Sequence, residues 1–511
     1  MTATILGPGG LRDAIPDVSS DPLGELLERL PRERTRLLDN LGRIRRELGA
    51  VTPDRSDALA DHMGIRRGEV AEVVSFYSYL RLEPDVPRVC TGPVCDCLGA
   101  RDLVARTPGA VEVACLGHCD LAPVRMEGDE IATAVVHRTS PGRSIDLQAP
   151  DEPRPAPELP PERVLAELQA SGLVGYGGAG FPTWRKWQAV RAQPGPRVVV
   201  VNADEGEPGT IKDRYVLELR PHLLLEGLEV AMRFCEAQEA FVYLREEYTA
   251  ARRSLERAIA ERGLPVTIVV GAGSYVCGEE TAMLESMEGR RGMPRLRPPF
   301  PAEAGYLGRP TLINNVETLA HVPAILRLGG AAWPRVRLWS VSGAVERPGC
   351  YEAPVDVTAR ELLDRYAGGA TEEVGAIVPG GAASGILPPA ALDVPLTREA
   401  LAPWGAGPGS AGVQVFPASY PVLRLLRETM RFFAEESCQK CTPCRIGTRA
   451  LGHVLAELAE GRQAMPGRQL EEWLVAMEKG SICGLGQGAP VPVRAAARHW
   501  PDVFSPLHVS S

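Results

Sequence analysis

The sequence contains no apolar run of the roughly 18 residues that a membrane-spanning helix requires, so no span is predicted. It also lacks an excess of positive charge, since 56 Lys and Arg stand against 65 Asp and Glu, a net charge of −9. Nucleic-acid binding needs clustered positive charge, and this class of partner is therefore excluded. The N-terminus lacks the basic start and apolar stretch of a signal peptide, which favours a cytoplasmic location.

The length of 511 residues predicts three or four domains, and the twelve cysteines are the most informative part of the composition. Nine of them fall in two groups, one near each end of the chain, and only Cys235, Cys277 and Cys350 lie between. Thiols stay reduced in the cytoplasm. Grouped cysteines therefore favour metal centres over disulfides.

Changes in composition and apolar periodicity divide the chain into five segments. Residues 1–138 combine amphipathic helices, such as LLERLPRERTRLLDNLGRIRREL, with short strands that lead into the first cysteine group. The Pro-rich stretch 139–160 predicts an extended interdomain linker. Residues 161–333 alternate strands and helices, 334–417 form a small β-rich module, and 418–511 are helical again. The predicted fold class is a multidomain α/β and α+β protein.

The C-terminal cysteine group is a triplet followed by a remote fourth cysteine: Cys438, Cys441, Cys444 and Cys483. Two-residue spacers allow backbone amides to surround a cubane, and four thiolates meet the ligand requirement of a 4Fe–4S cluster. A four-cysteine zinc site is the alternative, but zinc sites usually use two separated pairs. The pattern therefore favours one 4Fe–4S cluster that is closed by a separate loop.

The N-terminal group consists of two pairs on two loops: Cys90, Cys95, Cys115 and Cys119. This arrangement suits a 2Fe–2S cluster, with each loop holding one side of it, while zinc remains the alternative. Cys97 competes with Cys95 for the second ligand position, although the four-residue spacer before Cys95 fits better. His118 is expected to be a solvated loop residue and not a ligand.

A glycine-rich segment, GYGGAG at residues 175–180, matches G-x-G-x-x-G but follows a predicted helix and not a strand. A nest of backbone amides for a phosphate is predicted there instead of a standard dinucleotide loop, with Lys186 adding charge. Three further polar segments, 202–207, 273–280 and 314–318, lie at the ends of strands or helices. Their Asn side chains could read the polar edge of an isoalloxazine and their carboxylates could hold ribose hydroxyls, whereas each segment alone could be a capped turn.

Five motifs connect these segments with a known family: GYGGAGFPTWRKW, NADEGEPGTIKDR, YVCGEETAMLESMEGRRGMPRLRPPFP, INNVETLAHVP and ESCQKCTPCRIGT. In this order they closely resemble the flavoprotein subunit of respiratory complex I and the diaphorase subunits of soluble NAD-reducing hydrogenases and NAD-dependent formate dehydrogenases. The N-terminal cysteine pairs, with the helices before them, resemble the thioredoxin-like 2Fe–2S subunit of the same modules. The resemblance covers nearly the whole chain and implies FMN, NAD(H), one 4Fe–4S cluster and one 2Fe–2S cluster.

The resemblance also implies a fold for each segment: a thioredoxin-like 2Fe–2S domain, a Rossmann-like FMN and NAD(H) domain, a ubiquitin-like β-grasp module and a helical 4Fe–4S bundle. The implied flavin-binding residues are Gly175, Gly177, Gly178, Gly180, Lys186, Asn202, Asp204, Glu205, Gly278, Glu279, Asn314, Asn315 and Thr318. Glu207 and Glu280 would bind the nicotinamide nucleotide, and Phe181 and Phe300 would stack on its adenine. The eight cysteines of the two groups would be the cluster ligands.

The implied function is that of a diaphorase subunit, an NAD(H)-dependent flavin oxidoreductase. Hydride would pass between the nicotinamide and FMN, and single electrons would pass through the clusters to or from a partner subunit, so no catalytic side chain is predicted. Because two electron-input units are fused, a soluble formate dehydrogenase or hydrogenase is favoured as the parent complex, with a complex I-type input subunit as the alternative. Electron bifurcation with ferredoxin is less favoured. A zinc-stabilised binding scaffold without enzymatic activity is the alternative of another class.

Overall fold

The computed structural model describes residues 21–462 and 467–507 of the chain. Three four-stranded sheets follow one another along it, and helices end it. In these two ranges no helix is long and apolar enough to cross a membrane. The expectation about a signal peptide falls on residues 1–20, which lie outside the described residues.

Four short helices open the described chain: α1 Pro22–Glu28, α2 Leu37–Leu48, α3 Pro53–Met63 and α4 Arg67–Phe76. The segment LLERLPRERTRLLDNLGRIRREL, interpreted as a helix, is interrupted between α1 and α2. Pro31 lies in this gap and has no backbone N–H to donate, so a continuous helix across it would lose a hydrogen bond and clash with the preceding turn. Leu30 and Leu37 flank the charged part of the gap seven residues apart, in phase for one helix face, which is why the apolar pattern alone concealed the break.

The first sheet carries the N-terminal cysteines. Its elements are β1 Arg88–Cys90, α5 Pro93–Cys97, α6 Ala100–Arg106, β2 Val111–Val113, β3 Arg125–Glu127 and β4 Glu130–Ile131, and the strand order is β2-β1-β3-β4. Strands β1 and β2 pair in parallel, whereas β3 runs antiparallel to β1. Because parallel strands end at the same edge of a sheet, this pairing brings the two predicted ligand loops together.

The second sheet is the core of the α/β region. Its strands are β5 Val198–Ala203, β6 Ala240–Leu244, β7 Val266–Val270 and β8 Thr311–Asn315, all parallel and in the order β7-β6-β5-β8. The helices of this region are α7 Pro161–Ser171, α8 Thr183–Arg191, α9 Lys212–Leu219, α10 Pro221–Cys235, α11 Thr249–Arg262, α12 Glu280–Met287, α13 Pro301–Ala304 and α14 Val316–Leu328. The chain changes direction across the sheet between β5 and β8, the kind of position at which open α/β sheets bind ligands.

Both faces of this sheet are buried, which explains the continuous valine run of β5. Val199 and Val201 pack into the main core with the helices of the same region. Val198 and Val200 point to the opposite face, as the two-residue period of a strand requires, and pack in a second core with residues of α1 to α4 such as Leu41. The N-terminal helices therefore complete the layers around the parallel sheet.

The third sheet and the last helices occupy the remainder of the described chain. The elements are β9 Val336–Gly343, β10 Gly349–Pro354, α15 Ala359–Glu361, β11 Val374–Val378, α16 Arg398–Leu401 and β12 Gly412–Pro417, then α17 Val422–Glu436, α18 Thr442–Ala459, α19 Gly467–Gly480, α20 Gly484–Gly488 and α21 Pro490–His499. The strand order is β10-β9-β12-β11, with β9 and β12 parallel and the outer pairs antiparallel. The boundaries of the five predicted domains stay predictions.

The Pro-rich segment 139–160 has no helix or strand, yet residues 144–147 are packed against the fold. The Glu352 carboxylate on β10 accepts hydrogen bonds from the amides of Ser144 and Ile145 at 2.9 and 2.7 Å. Ile145 and Leu147 are buried in the main core. The interpretation of this segment as a linker stays a prediction, and its packing depends on partners far away in the sequence.

Candidate functional site

The carboxyl ends of β5 and β8 place two of the predicted segments side by side. In the β5–β8 register, Val201 pairs with Asn314 and Asn202 pairs with Asn315. The glycine-rich loop lies against them, because a Cβ added to Gly177 would sit 3.4 Å from the Asn315 Cβ. Segments that are distant in the sequence thus meet at the switch point between β5 and β8, and we call the space that they border the flavin pocket.

The glycine-rich loop is held by two hydrogen bonds that its backbone amides donate. The Gly175 amide donates to the Phe181 carbonyl at 2.8 Å, and the Tyr176 amide donates to Thr318 Oγ1 at 2.9 Å. Gly178 and Gly180 have φ angles of +109° and +68°, which residues with a side chain adopt only at a cost. The glycines are therefore required by the loop itself, and the loop fits the predicted phosphate nest.

Lys186 brings positive charge to this pocket. Its Nζ contacts the Glu280 carboxylate and donates to the Ile313 carbonyl at 3.1 Å. The side chains of Lys186 and Glu280 are 24% and 31% exposed, so solvent screens the pair and both groups remain open to a ligand. The ion pair joins a residue assigned to FMN with a residue assigned to the nucleotide.

The segment 202–207 contributes an unsatisfied buried carboxyl group. Asn202 Nδ2 donates to the Gly278 carbonyl at 2.8 Å, and Asn202 Oδ1 accepts from the Asp204 amide at 3.2 Å. Asp204 Oδ2 is buried and has no hydrogen-bond partner within the described part of the chain. Burial raises the pKa of Asp204 to about 8, so this carboxyl holds a proton near neutral pH. Because buried polar groups need partners, the free oxygen fits the polar edge of a flavin.

Two other predicted residues at this edge already have internal partners. The Glu205 carboxylate accepts from the amides of Asp213 and Arg214 at 2.9 and 3.1 Å. Asn314 Oδ1 accepts from Trp187 Nε1 at 2.9 Å. These contacts fix α9 and α8 against the sheet, so both residues shape the pocket through its walls. Their direct contact with FMN stays a prediction.

The segment 273–280 approaches the pocket at the start of α12. The Glu279 carboxylate caps this helix by accepting from the amides of Thr281 and Ala282 at 3.0 and 2.9 Å. A Cβ added to Gly278 would lie 3.1 Å from the Asp204 carbonyl. Only glycine permits this close approach without displacement, which explains why glycine occupies position 278.

The residues predicted to bind the nucleotide include a carboxylate and two exposed rings. Glu207 accepts from the Tyr275 hydroxyl and from the Ala383 amide, the latter at 2.8 Å. Sequence reasoning missed both donors: Tyr275 lies in the motif YVCGEE, whereas nothing local marked Ala383. Phe181 and Phe300, predicted to stack on adenine, are 50% and 52% exposed. A flat ring that is open to solvent offers the apolar surface that stacking uses.

The four C-terminal cysteines line one small cavity: Cys438, Cys441, Cys444 and Cys483. Burial raises the pKa of Cys444 to about 12 and that of Cys483 to about 11. A buried thiol becomes a thiolate only when positive charge compensates it, so the site fits a metal centre. Val276, from the segment 273–280, forms part of the cavity wall. The predicted 4Fe–4S site therefore borders the segment that carries Gly278 and Glu279.

The four predicted ligands of the N-terminal group also lie together: Cys90, Cys95, Cys115 and Cys119. The amide of Gly117 donates to Cys115 Sγ at 3.4 Å, and the amide of Gly209 donates to Cys119 Sγ at 3.2 Å. Hydrogen bonds of this kind to the sulfurs set the potential of an iron–sulfur cluster. Within residues 21–462 and 467–507, no group of three or more His, Cys, Asp or Glu side chains is placed to hold a single metal ion.

The surroundings of Cys97 and His118 decide how these two residues near the N-terminal thiols are interpreted. Cys97 lies near Glu372 and Arg424, away from the other thiols, which favours Cys95 as the ligand. His118 is only 4% exposed, so the expectation of a solvated histidine is wrong. Its ring packs edge-on against Tyr248, and its Nδ1 hydrogen-bonds with the Leu116 carbonyl at 2.8 Å. Burial holds the pKa of His118 well below its usual value, so the ring is neutral.

Three family models match this arrangement. They are the thioredoxin-like [2Fe-2S] ferredoxin over residues 23–141, the Nuo51 FMN-binding domain over residues 168–324 and the NADH-ubiquinone oxidoreductase-F iron-sulfur binding region over residues 424–506. The F 2 subunit of NADH-quinone oxidoreductase in Rhizobium meliloti (strain 1021) is 42% identical, over 68% of this chain and 89% of that protein. The chain belongs to the NADH-quinone oxidoreductase-F family. The corresponding F subunit in Mycobacterium bovis is 43% identical, over 68% of this chain and 84% of that protein.

A solved structure is similar to nearly the whole chain. One chain of an NAD+-reducing [NiFe]-hydrogenase in the H2-reduced state has a TM-score of 0.84 and 31% identity, over 94% of this chain and 95% of that chain. As a member of the NADH-quinone oxidoreductase-F family, the chain is an NAD(H)-dependent flavin oxidoreductase. The predicted FMN, NAD(H), 4Fe–4S and 2Fe–2S cofactors are confirmed, as is the multidomain α/β fold with a thioredoxin-like 2Fe–2S domain. The roles of the individual residues stay predictions.

Proposed function

We propose that the chain is the diaphorase subunit of a cytoplasmic, NAD-reducing complex of the hydrogenase type, with a formate dehydrogenase as the related possibility. The share of this chain that each relative matches supports this proposal. The hydrogenase chain is similar to 94% of this chain, including the N-terminal 2Fe–2S region, whereas the two NADH-quinone oxidoreductase relatives align over 68% of it. This match over both cluster regions supports a parent complex in which one polypeptide carries the two clusters.

The residues of the pocket have complementary tasks in this function. When bound, FMN would supply hydride exchange with the nicotinamide and one-electron transfer to or from the clusters. Lys186 and the glycine-rich loop would hold the flavin phosphate, and Asp204 would donate its proton in a hydrogen bond to the ring edge. Phe181 and Phe300 would hold the adenine, which orients the nicotinamide end of the nucleotide. The protein thus binds and orients, and the cofactors supply the chemistry.

A second candidate is an input subunit of a complex I-type NADH:quinone oxidoreductase. It is favoured by identity, since the two NADH-quinone oxidoreductase relatives are 42% and 43% identical to this chain, whereas the hydrogenase chain is 31% identical. In this case the partner subunits would lead to a quinone and not to a hydrogen-oxidising or formate-oxidising centre.

Isolation of the native complex separates these candidates. The chain carries an affinity tag at its chromosomal locus, and the co-purified subunits are identified by mass spectrometry. The same preparation is assayed for NAD+ reduction with hydrogen, for NAD+ reduction with formate and for quinone reduction with NADH. A nickel-containing partner and hydrogen-dependent NAD+ reduction are expected. Quinone reduction with membrane subunits would contradict the proposal and favour the second candidate.

A further inference from the structure

Four ionisable side chains lie buried together behind the flavin pocket: Glu205, Lys212, Asp213 and Glu317, which we call the Lys212 cluster. Lys212 Nζ lies 2.7 Å from Asp213 Oδ1 and 3.2 Å from Glu317 Oε2. The side chains of Lys212 and Glu317 are 1% and 0% exposed. Lys212, Asp213 and Glu317 have no part in cofactor binding or electron transfer in the proposed function.

The cluster contacts the pocket through the side-chain amide of Asn315. Asn315 Nδ2 donates to Asp213 Oδ2 at 2.5 Å, and Asn315 Oδ1 lies 3.5 Å from Lys212 Nζ. The same oxygen accepts from the Thr318 amide at 3.3 Å. An amide nitrogen carries two hydrogens, and Asp213 takes one of them. The second hydrogen remains, on a side chain that faces Gly177 of the glycine-rich loop.

We propose that Lys212 is a positioning residue, which together with Asp213 fixes the Asn315 amide so that its N–H and not its carbonyl faces the flavin pocket. The proposal rests on the proposed function in assigning FMN to this pocket. The proposal specifies the chemistry of the bound group: Asn315 donates a hydrogen bond to an acceptor of FMN, either a phosphate oxygen or a carbonyl oxygen. If the Asn315 amide were flipped, its carbonyl oxygen would face an acceptor oxygen of FMN, and the two oxygens would repel each other.

The energetics of the cluster favour a positioning role over a purely stabilising one. Burial opposes the ionisation of Glu317, but the Lys212 ammonium lowers the pKa of this carboxyl to about 2, so both groups are charged. Buried ion pairs seldom stabilise a fold more than apolar residues of the same volume, because both charges lose their hydration. Glu317 Oε1 also accepts from the Leu338 amide on β9 at 2.6 Å. The cluster is therefore held from two sheets, which keeps the ammonium group fixed relative to Asn315.

The test uses the full-length chain with its clusters reconstituted and its flavin removed, and FMN binding is measured by fluorescence quenching. The double variant Lys212→Met/Glu317→Gln removes one charge of each sign, so the net charge of the cluster is unchanged. Loss of a fixed hydrogen-bond donor is expected to raise the Kd for FMN about tenfold. The same pair of changes in an Asn315→Ala background is expected to add less than about twofold, because Lys212 acts through Asn315.

The matched control is Arg262→Met, which removes a buried cation that pairs with Glu229 on α10, away from the pocket. It is expected to lower the Tm by a similar amount and to leave the Kd for FMN unchanged. The inference would be overturned, with the proposed function intact, by either of two results. One is a wild-type Kd for FMN in the double variant, and the other is an equal rise in this Kd whether residue 315 is Asn or Ala. A wild-type chain that binds no FMN would overturn the proposed function as well.

A second variant keeps the inference testable if the double variant does not fold. Asn315→Asp has the same shape as the native residue but presents only acceptor oxygens to the pocket. It is expected to bind FMN more weakly than Asn315→Ala, because an acceptor then faces an acceptor. Binding as tight as that of Asn315→Ala, or tighter, would overturn the inference.

Discussion

Replacement of the two exposed rings at the pocket tests the nucleotide site directly. Phe181 and Phe300 are 50% and 52% exposed. A phenylalanine presents roughly 200 Å² of surface, so about 100 Å² of each ring is open, and an adenine stacked on one face would cover about half of that. At about 25 cal/mol per Å², 50 Å² corresponds to about 1.2 kcal/mol, or about eightfold in affinity for each ring. Phe181→Ala/Phe300→Ala is expected to bind NADH about sixtyfold more weakly if the rings act independently.

The assay is the KM for NADH in anaerobic dye reduction, with the FMN content of each preparation measured by fluorescence. Leu328→Ala is the matched control, since Leu328 is 52% exposed but ends α14 roughly 18 Å from the pocket end of that helix. The control is expected to keep the wild-type KM. An unchanged KM in the double variant, or FMN loss in step with the change in KM, would refute the stacking assignment.

Three further predictions concern single residues. Cys95→Ser is expected to abolish the 2Fe–2S EPR signal of the reduced protein, whereas Cys97→Ser keeps it; the reverse result would exchange the ligands. Burial raises the pKa of Asp204 to about 8, above its value in the unfolded chain, so its proton stabilises the flavin-free protein most at low pH. This contribution to the free energy of unfolding is lost at about 1.4 kcal/mol per pH unit as the pH rises from about 4 to 8. Asp204→Asn is expected to flatten the dependence of the Tm on pH in this range, and an unchanged slope would contradict the assignment. Glu280→Gln is expected to raise the KM for NADH while FMN is retained, because Lys186 keeps its contact with a backbone carbonyl; equal loss of both ligands would count against these roles.

Local sequence patterns were sufficient for the elements that build the pocket. The valine run before Asn202 predicted the buried strand β5, and the polar residues after it predicted a loop with a function. The cysteine spacings predicted two separate metal centres, and the structure brings each group of thiols together. These features are visible locally because a strand, a loop and a ligand spacing each depend on a few neighbouring residues.

Contacts between distant segments could not be predicted in this way. The Asp96 carboxylate, beside Cys95, is fully buried and accepts from Tyr420 and Arg424 at 2.6 and 2.8 Å. It appears in the sequence as one more acidic loop residue. The burial of His118 has the same origin, since Tyr248 covers its ring from another part of the chain. Pairing and burial of this kind depend on tertiary packing, so they produce no periodic pattern in the neighbouring sequence.

The central claim is that one chain holds FMN between a nucleotide pocket and two iron–sulfur clusters. The most direct test is an anaerobic measurement on the purified, reconstituted chain, with iron, zinc and flavin quantified and the visible spectrum recorded before and after addition of NADH. About six iron atoms and one FMN per chain are expected, and NADH is expected to bleach the flavin band. Zinc in place of iron, or a folded chain that takes up no FMN, would contradict the account.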